Sequence, residues 1–270
     1  EIDFDLISDR ELHEEGVDSI RDYKALCTGS HPEYHTPQTL DALQNYRDQG
    51  GRLVYLGGNG FYWKIALSPE DPELIEIRRG ESGIRAWAAE PGEYYHSFDG
   101  AYGGLWRRNG RPPQLLAGVG FSAQGKFEGS YYRRTAESRA PDLAWMFEGI
   151  EDQEILGDFG FSGGGAAGFE LDRADVRLGT PEEVRVVASS ENHTSSFVLV
   201  PEEMLTHITN WPGEEEQQKL IRSDIVYFRT PSGGEVFSTG SITFCGSLPW
   251  NDFDNNISRL LENVIRHFLQ

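Results

Sequence analysis

Two short stretches hold most of the side chains able to do chemistry. Thr28-Gly29-Ser30-His31-Pro32-Glu33-Tyr34-His35-Thr36 puts two histidines, a carboxylate, a phenol and several hydroxyls into one run. Gly57-Gly58-Asn59-Gly60-Phe61-Tyr62-Trp63 is the second, and its glycines permit positive φ and close backbone approach. Tyr34 and Tyr62 are candidate metal ligands, because a phenolate oxygen suits a hard trivalent ion such as Fe(III) whose charge lowers the phenol pKa. His31 is a candidate proton relay beside them. A third stretch, Tyr94-Tyr95-His96-Ser97-Phe98-Asp99-Gly100-Ala101-Tyr102-Gly103-Gly104, adds His96 as a second relay. Asp99 in that stretch either completes a metal site or holds a water as general base. The plain alternative is a hairpin turn with Asp99-Gly100 as its turn pair, and locally it is the stronger one. Glu148, in Trp145-Met146-Phe147-Glu148-Gly149, reads as a strand-end charge or a buried ligand. In any single loop, His, Glu and Tyr more often make caps and turn hydrogen bonds than do chemistry.

The elements that must position these residues follow from periodicity. The first sixty residues read as two strand-helix steps: an apolar run at residues 4–7, a helical pattern at 11–23, a strand at 23–28, a helix at 37–49 and a strand at 52–56. Such alternation implies a parallel sheet with helices on both faces, whose ligands collect beyond the carboxyl ends of its strands. Both chemistry-bearing loops fall at that edge. Asp9 is the expected cap of the first helix, Thr36 ahead of Pro37 that of the second, and Gly50-Gly51 its stop. From residue 70 to 200 the texture becomes short apolar runs at 104–106, 114–121, 143–147, 184–188 and 196–200, read as strands of an antiparallel insertion or extension. Residues 201–270 return to α/β texture, with a helix at 201–210, strands at 224–229 and 241–245, and a closing amphipathic helix at 255–269. Gly163-Gly164-Gly165-Ala166-Ala167-Gly168 matches a dinucleotide fingerprint only formally, because no good strand precedes it and Phe169-Glu170-Leu171-Asp172 alternates like a strand where a helix should start.

The chain has 24 basic and 44 acidic residues and a net charge of −20, which disfavours nucleic acid and anionic membranes as partners. No run approaches the ~18 apolar residues that span a bilayer. Cys27 and Cys245 each lie in an apolar run and read as reduced core side chains, which favours a cytoplasmic location. The first residue is Glu1, and the expectation is one domain forming the C-terminal part of a longer polypeptide, with residues 1–69 and 201–270 as α/β core and 70–200 as β-rich region.

Thr28-Gly29-Ser30-His31-Pro32-Glu33-Tyr34, Gly50-Gly51-Arg52-Leu53, Tyr55-Leu56-Gly57-Gly58-Asn59-Gly60-Phe61-Tyr62-Trp63, Gly103-Gly104-Leu105-Trp106-Arg107 and Gly164-Gly165-Ala166-Ala167-Gly168 together resemble the C-terminal domain of the large, or beta, subunit of N,N-dimethylformamidase. The resemblance implies an α/β fold similar to class I glutamine amidotransferases, with a flavodoxin-like parallel sheet carrying the β-rich region. It also implies a mononuclear Fe(III) held by two tyrosines and a glutamate. The implied reaction is hydrolysis of a small substituted formamide to amine and formate, with a small second subunit and a homo-oligomer as further partners. Carried onto this chain, Tyr34 matches one tyrosine and Tyr62 is the available second. No glutamate stands near Gly103-Gly104, so either Asp99 substitutes, Glu148 serves or the site is defective, and Glu235, in a Gly-rich turn before a strand, is a general-base candidate. The competing expectation is a non-catalytic amidotransferase-like module that binds a partner within a larger protein.

Overall fold

The structure, a computed structural model, describes residues 2–71, 73–79, 90, 92–200 and 213–270. Ser8, one residue ahead of the expected Asp9, caps the first helix, α1 (Asp9–Glu15), in a reciprocal capping box with Glu11. A 3-10 turn at Gly16–Ser19 ends the helical pattern well before residue 23. The run at 4–7 forms no strand and is exposed, with Phe4 and Leu6 largely in solvent, since it pairs with no strand among the described residues. Three of the remaining early elements follow expectation, β1 (Ala25–Cys27), α2 (Pro37–Asp48) and β3 (Arg52–Tyr55), while a short strand not expected, β2 (Tyr34–His35), forms within the loop after β1. Thr36 caps α2 by accepting from the Thr39 amide, and Gly50 at φ 99° turns the chain away from it.

Then come β4 (Trp63–Leu67), β5 (Ile75–Ile77), α3 (Pro113–Ala117), the long β6 (Gly120–Arg134), β7 (Ala167–Arg173), β8 (Arg185–Glu191) and β9 (Val198–Leu199). The chain closes with α4 (Glu214–Leu220), β10 (Asp224–Arg229), β11 (Glu235–Ser238) and α5 (Asn256–Phe268). Several expected strands take other forms. Residues 114–121 divide between α3 and the start of β6, at Gly118 with φ 78°. Residues 143–147 belong to a 3-10 helix at Pro141–Phe147 begun by a proline. Of 104–106 only Leu105 bridges, to Trp63, and 241–245 forms a turn and part of the 3-10 helix Phe244–Ser247. The helix expected at 201–210 lies outside the described residues. The glycine run at 163–168 leads into strand β7 and no helix, as its alternation implied.

The main sheet has the order β1-β3-β11-β10-β8-β6-β7, with β9 on β6, and β2-β4-β5 forms a second, small sheet. Among the described residues parallel pairing is confined to β1-β3-β11 and β2-β4, and every other pair is antiparallel. The β-rich region is therefore continuous with the α/β part, since β8 hydrogen-bonds directly to β10. Alternate side chains of β3 feed two cores: Val54 joins Phe147, Ile257, Leu260 and Val264 under α5, while Leu53 and Tyr55 join Leu12, Leu40 and Leu43 under α1 and α2.

One departure from a flat sheet brings distant residues to a single edge. Strand β6 shifts register against β7 between Phe121 and Ala123 and between Gln124 and Gly129, and only its end pairs with β8. Such irregularities bend a strand. The β7 edge consequently returns over the carboxyl ends of β3 and β11, where Asp172 N–H donates to the Gly240 carbonyl at 2.8 Å and Leu171 bridges Ser241.

Candidate functional site

The loop after β1, the turn after β3 and strand β7 meet at the carboxyl ends of the parallel strands, the edge where open α/β sheets place ligands. Backbone contacts set the first two against each other. Gly58 N–H donates to the Ser30 carbonyl at 3.3 Å, Phe61 N–H to Pro32 at 2.7 Å, and the Tyr62 and Trp63 amides share the Glu33 carbonyl at 3.0 and 2.9 Å. The glycines are required by this closeness: a Cβ on Gly57 would collide with the Ser30 carbonyl, and one on Gly58 would stand 2.8 Å from the Glu170 carbonyl oxygen.

Three ionisable side chains converge there. His31 Nε2 lies 3.3 Å from Glu33 Oε2 and 3.2 Å from Glu170 Oε2. The two carboxylate side chains are only 12% and 10% exposed while the imidazole is 33% exposed, so His31 is the solvent-facing member of a largely enclosed trio. Asn59 Nδ2 donates to Glu33 Oε1 at 3.3 Å, and Asn59 Oδ1 is buried without a hydrogen-bond partner. A nitrogen within ion-pair distance of two carboxylates can pass a proton between them, which is what acid-base work on a bound water requires. Beside His31, a groove of about 240 Å³ is lined by Leu12, Leu26, Pro32, Leu43 and Phe61.

Tyr34 belongs to this neighbourhood. The residue is 42% exposed, and its phenol lies close enough to Glu33 for the carboxylate to act on it. Burial raises the phenol above the ordinary tyrosine value and the Glu33 charge adds to this, while the Arg79 guanidinium opposes it.

The other residues expected to act lie elsewhere. Tyr62 is buried edge-on against Trp63 and Phe121, in a cluster with Leu105 and Val200. His96 is buried with Nδ1 3.4 Å from Asp99, and Asp99 accepts from the Ala101 amide at 2.9 Å, so the hairpin-turn reading describes this stretch. That turn is latched by Glu76, which is buried yet held at about 2 by the Ser97 and Phe98 amides, Arg78 and the Ser97 hydroxyl. Glu148 is exposed at the end of the 3-10 helix under α5, where its carbonyl accepts from Asn263. Glu235 stands in register with Arg52 at the amino ends of β11 and β3, the far end of the sheet from His31. There it is spent on Tyr227, Arg52, Arg229 and His267. Of the expected metal ligands, then, only Tyr34 joins the convergent site, and His31 alone of the three expected acid-base residues does so.

Glu33 and Asn59 lie inside the two chemistry-bearing loops, but residue type alone does not single them out. Glu170 is the residue that sequence reasoning misses. The available signal is that Glu170 and Asp172 alternate with Phe169 and Leu171 after a glycine run, a pattern that sets two carboxylates on one face of an apolar strand. Among the described residues no group of three or more His, Cys, Asp or Glu is arranged to hold a metal ion. Glu33 and Glu170 both face His31, and Tyr34 lies near enough to both carboxylates for their charges to act on its phenol. Cys27 and Cys245 are free thiols, and Cys27 is exposed at the end of β1 where a core position was expected.

Comparison with known proteins agrees with the loops that carry the resemblance. Residues 1–256 match the family model described as N,N-dimethylformamidase beta subunit-like, C-terminal. Over 268 residues, 99% of this chain, the sequence is 41% identical to the N,N-dimethylformamidase beta subunit of Paracoccus aminophilus and 40% identical to that of an Alcaligenes species. The match covers 35% of each of those proteins, so the chain spans about a third of the length of the relatives. On this similarity, the chain belongs to the family of N,N-dimethylformamidase beta subunit-like C-terminal domains.

Proposed function

We propose that this chain carries an acid-base site for hydrolysis of a small substituted formamide. Water adds to the formyl carbon, the carbon–nitrogen bond breaks, and the products are one amine and one formate. The observation that carries the reading is His31 Nε2 within 3.3 Å of two largely buried carboxylates, Glu33 and Glu170, at the carboxyl ends of the parallel strands. In this reading one carboxylate takes a proton from the attacking water, and His31 delivers a proton to the departing amine nitrogen. Asn59 holds Glu33 from the far side, its Nδ2 donating to Glu33 Oε1 at 3.3 Å. The groove beside His31 is of mixed lining, and its apolar part at Leu12, Leu26, Leu43 and Phe61 suits the N-alkyl groups.

The donor chemistry around Tyr34 and Glu33 fits a hard trivalent metal: a phenol and two carboxylates, with no thiolate among them. Tyr34 and Glu33 are the residues of this chain that would hold Fe(III), and the chemistry it would supply when bound is polarisation of the amide carbonyl and acidification of water. Tyr62, Asp99 and Glu148 do not fit that set. The same reading takes β1, β3 and β11 with α2 and α5 as the amidotransferase-like core. It also places the chain in a larger cytoplasmic assembly with a further subunit, as the name beta subunit says of the relatives.

The test is formate release from N,N-dimethylformamide by the full-length parent, purified with any co-purifying subunit from iron-supplemented cells. Glu170→Gln and His31→Asn should each lower kcat by roughly 100- to 10,000-fold, the usual worth of positioned acid-base groups. Glu235→Gln should stay within about threefold of wild type, because removing a distant group leaves transition-state binding intact. Wild-type rates in both site variants would sink the proposal and favour the non-catalytic binding module.

A further inference from the structure

We propose that Asp172, which touches none of the reacting groups, is a positioning residue that aims Asn59 at Glu33; this rests on the functional reading above. Asp172 is fully buried, and its two carboxylate oxygens are divided between two elements. Oδ1 accepts the Asn59 backbone N–H at 2.7 Å, and Oδ2 accepts the Tyr55 hydroxyl at 2.9 Å. That hydroxyl in turn accepts the Gly60 N–H at 2.8 Å. One carboxylate thus ties the end of β3 and, directly at Asn59 and through Tyr55 at Gly60, the second half of the following turn to strand β7.

The side chain of Asn59 explains why this matters. Its Nδ2 meets Glu33 while its Oδ1 is buried without a partner, so no second side chain orients the amide. The backbone must aim it, and that backbone is left-handed at φ 53°, a conformation that asparagine tolerates but that needs support from its surroundings. The Asp172 and Tyr55 contacts supply the support. Burial and the neighbouring Asp172 charge push the Tyr55 phenol well above the ordinary value, which keeps it a donor to Asp172. Asp172 also shares strand β7 with Glu170, two residues earlier and on the same face, so its anchorage fixes the turn and the second carboxylate in one frame.

Asp172→Asn is nearly isosteric but replaces one charged acceptor oxygen by a donor, so either a contact is lost or the Tyr55 hydroxyl must turn from donor to acceptor, and the charge-assisted tie to both groups is weakened. In the full-length parent, Asp172→Asn should lower kcat for formate release by about 10- to 100-fold with KM within about threefold, the pattern of a lost transition-state arrangement. Combined with Asn59→Ala it should add almost nothing to the loss from Asn59→Ala alone, because both act through one contact. Leu260→Ala, in the core under α5, is the stability control and should leave kcat per folded molecule unchanged. Should Asp172→Asn fail to fold, Tyr55→Phe, which keeps the Asp172 contact to Asn59 and removes that to Gly60, is measured in its place, with a kcat loss and unchanged KM again expected. An unchanged kcat in the folded variant, or a fully additive double variant, overturns the proposal. If the wild type releases no formate, the functional reading fails separately. Hydrogen exchange at the Asn59 and Gly60 amides then decides: accelerated exchange in Asp172→Asn confined to the turn supports the positioning role, and unchanged exchange overturns it.

Discussion

At the scale of single residues, the site separates groups that look alike in a composition table. Glu33, Glu76, Glu148, Glu170 and Glu235 are all glutamates near aromatic or apolar neighbours, yet only Glu33 and Glu170 converge on the same imidazole, that of His31. Glu76 is consumed by a turn and Glu235 by an ion-pair network with Arg52, Arg229 and His267, and a carboxylate satisfied in that way has no lone pair left for a substrate. Tyr34 differs from Tyr62 for a related reason: a half-exposed phenol against Glu33 can be approached by a ligand, whereas a ring sealed by Trp63 and Phe121 cannot. Replacing Tyr34 by Phe removes the oxygen and keeps the ring. In iron-loaded full-length protein this should abolish any tyrosinate-to-iron absorption band contributed by this chain and lower bound iron, as measured by visible spectroscopy with elemental analysis. An unchanged spectrum and metal content would remove Tyr34 from the ligand set.

At the scale of elements, the site exists because three segments approach more closely than side chains normally allow. The 57–60 turn can press on the 29–33 loop only because Gly57 carries no Cβ, and on strand β7 only because Gly58 carries none. Gly57→Ala should therefore destabilise the fold by roughly 1–3 kcal/mol, the usual cost of overpacking. It should also cut formate release, through displacement of His31; thermal unfolding and kinetics together check both. The 94–104 turn carries a separate pH dependence. Glu76 is held at about 2, below the ordinary glutamate range, by hydrogen bonds from Ser97, Phe98 and Arg78 that outweigh its burial. For a carboxyl group with a depressed folded-state pKa, the stabilisation is present above the ordinary value and is lost as pH falls through the folded value. Exchange of the Ser97 and Phe98 amides, corrected for its intrinsic pH dependence, should thus accelerate as pH drops from the ordinary glutamate range toward 2. In Glu76→Gln that pH dependence should vanish.

At the scale of the whole molecule, a net charge of −20 acts as self-repulsion over about a Debye length, ~8–10 Å at moderate ionic strength. Unfolding spreads those charges apart, so raising salt from low to physiological strength should raise Tm, with sodium chloride and potassium chloride acting alike. A salt-independent Tm would show that the ion pairs spread over the surface already offset the repulsion. No described helix is long and apolar enough to cross a membrane. Much of this organisation was legible in the sequence where the signals are local. Thr36 and Pro37 start α2, Gly50 ends the turn after it, the apolar stripe of α5 faces the core, and both chemistry-bearing loops lie at the carboxyl ends of parallel strands. Capping, glycine conformation and helical periodicity are properties of a few adjacent residues, so the sequence determines them by itself. Whether an apolar run becomes a strand depends on a partner edge, which is why residues 4–7 stay exposed and residues 143–147 wind into a 3-10 helix. Likewise, His31 and Glu33 are neighbours in the chain, but Glu170 reaches them only because the bent β6 carries β7 back over the ends of β3 and β11. That meeting is a long-range packing outcome, decided by the tertiary structure alone, and with it the identity of the second carboxylate.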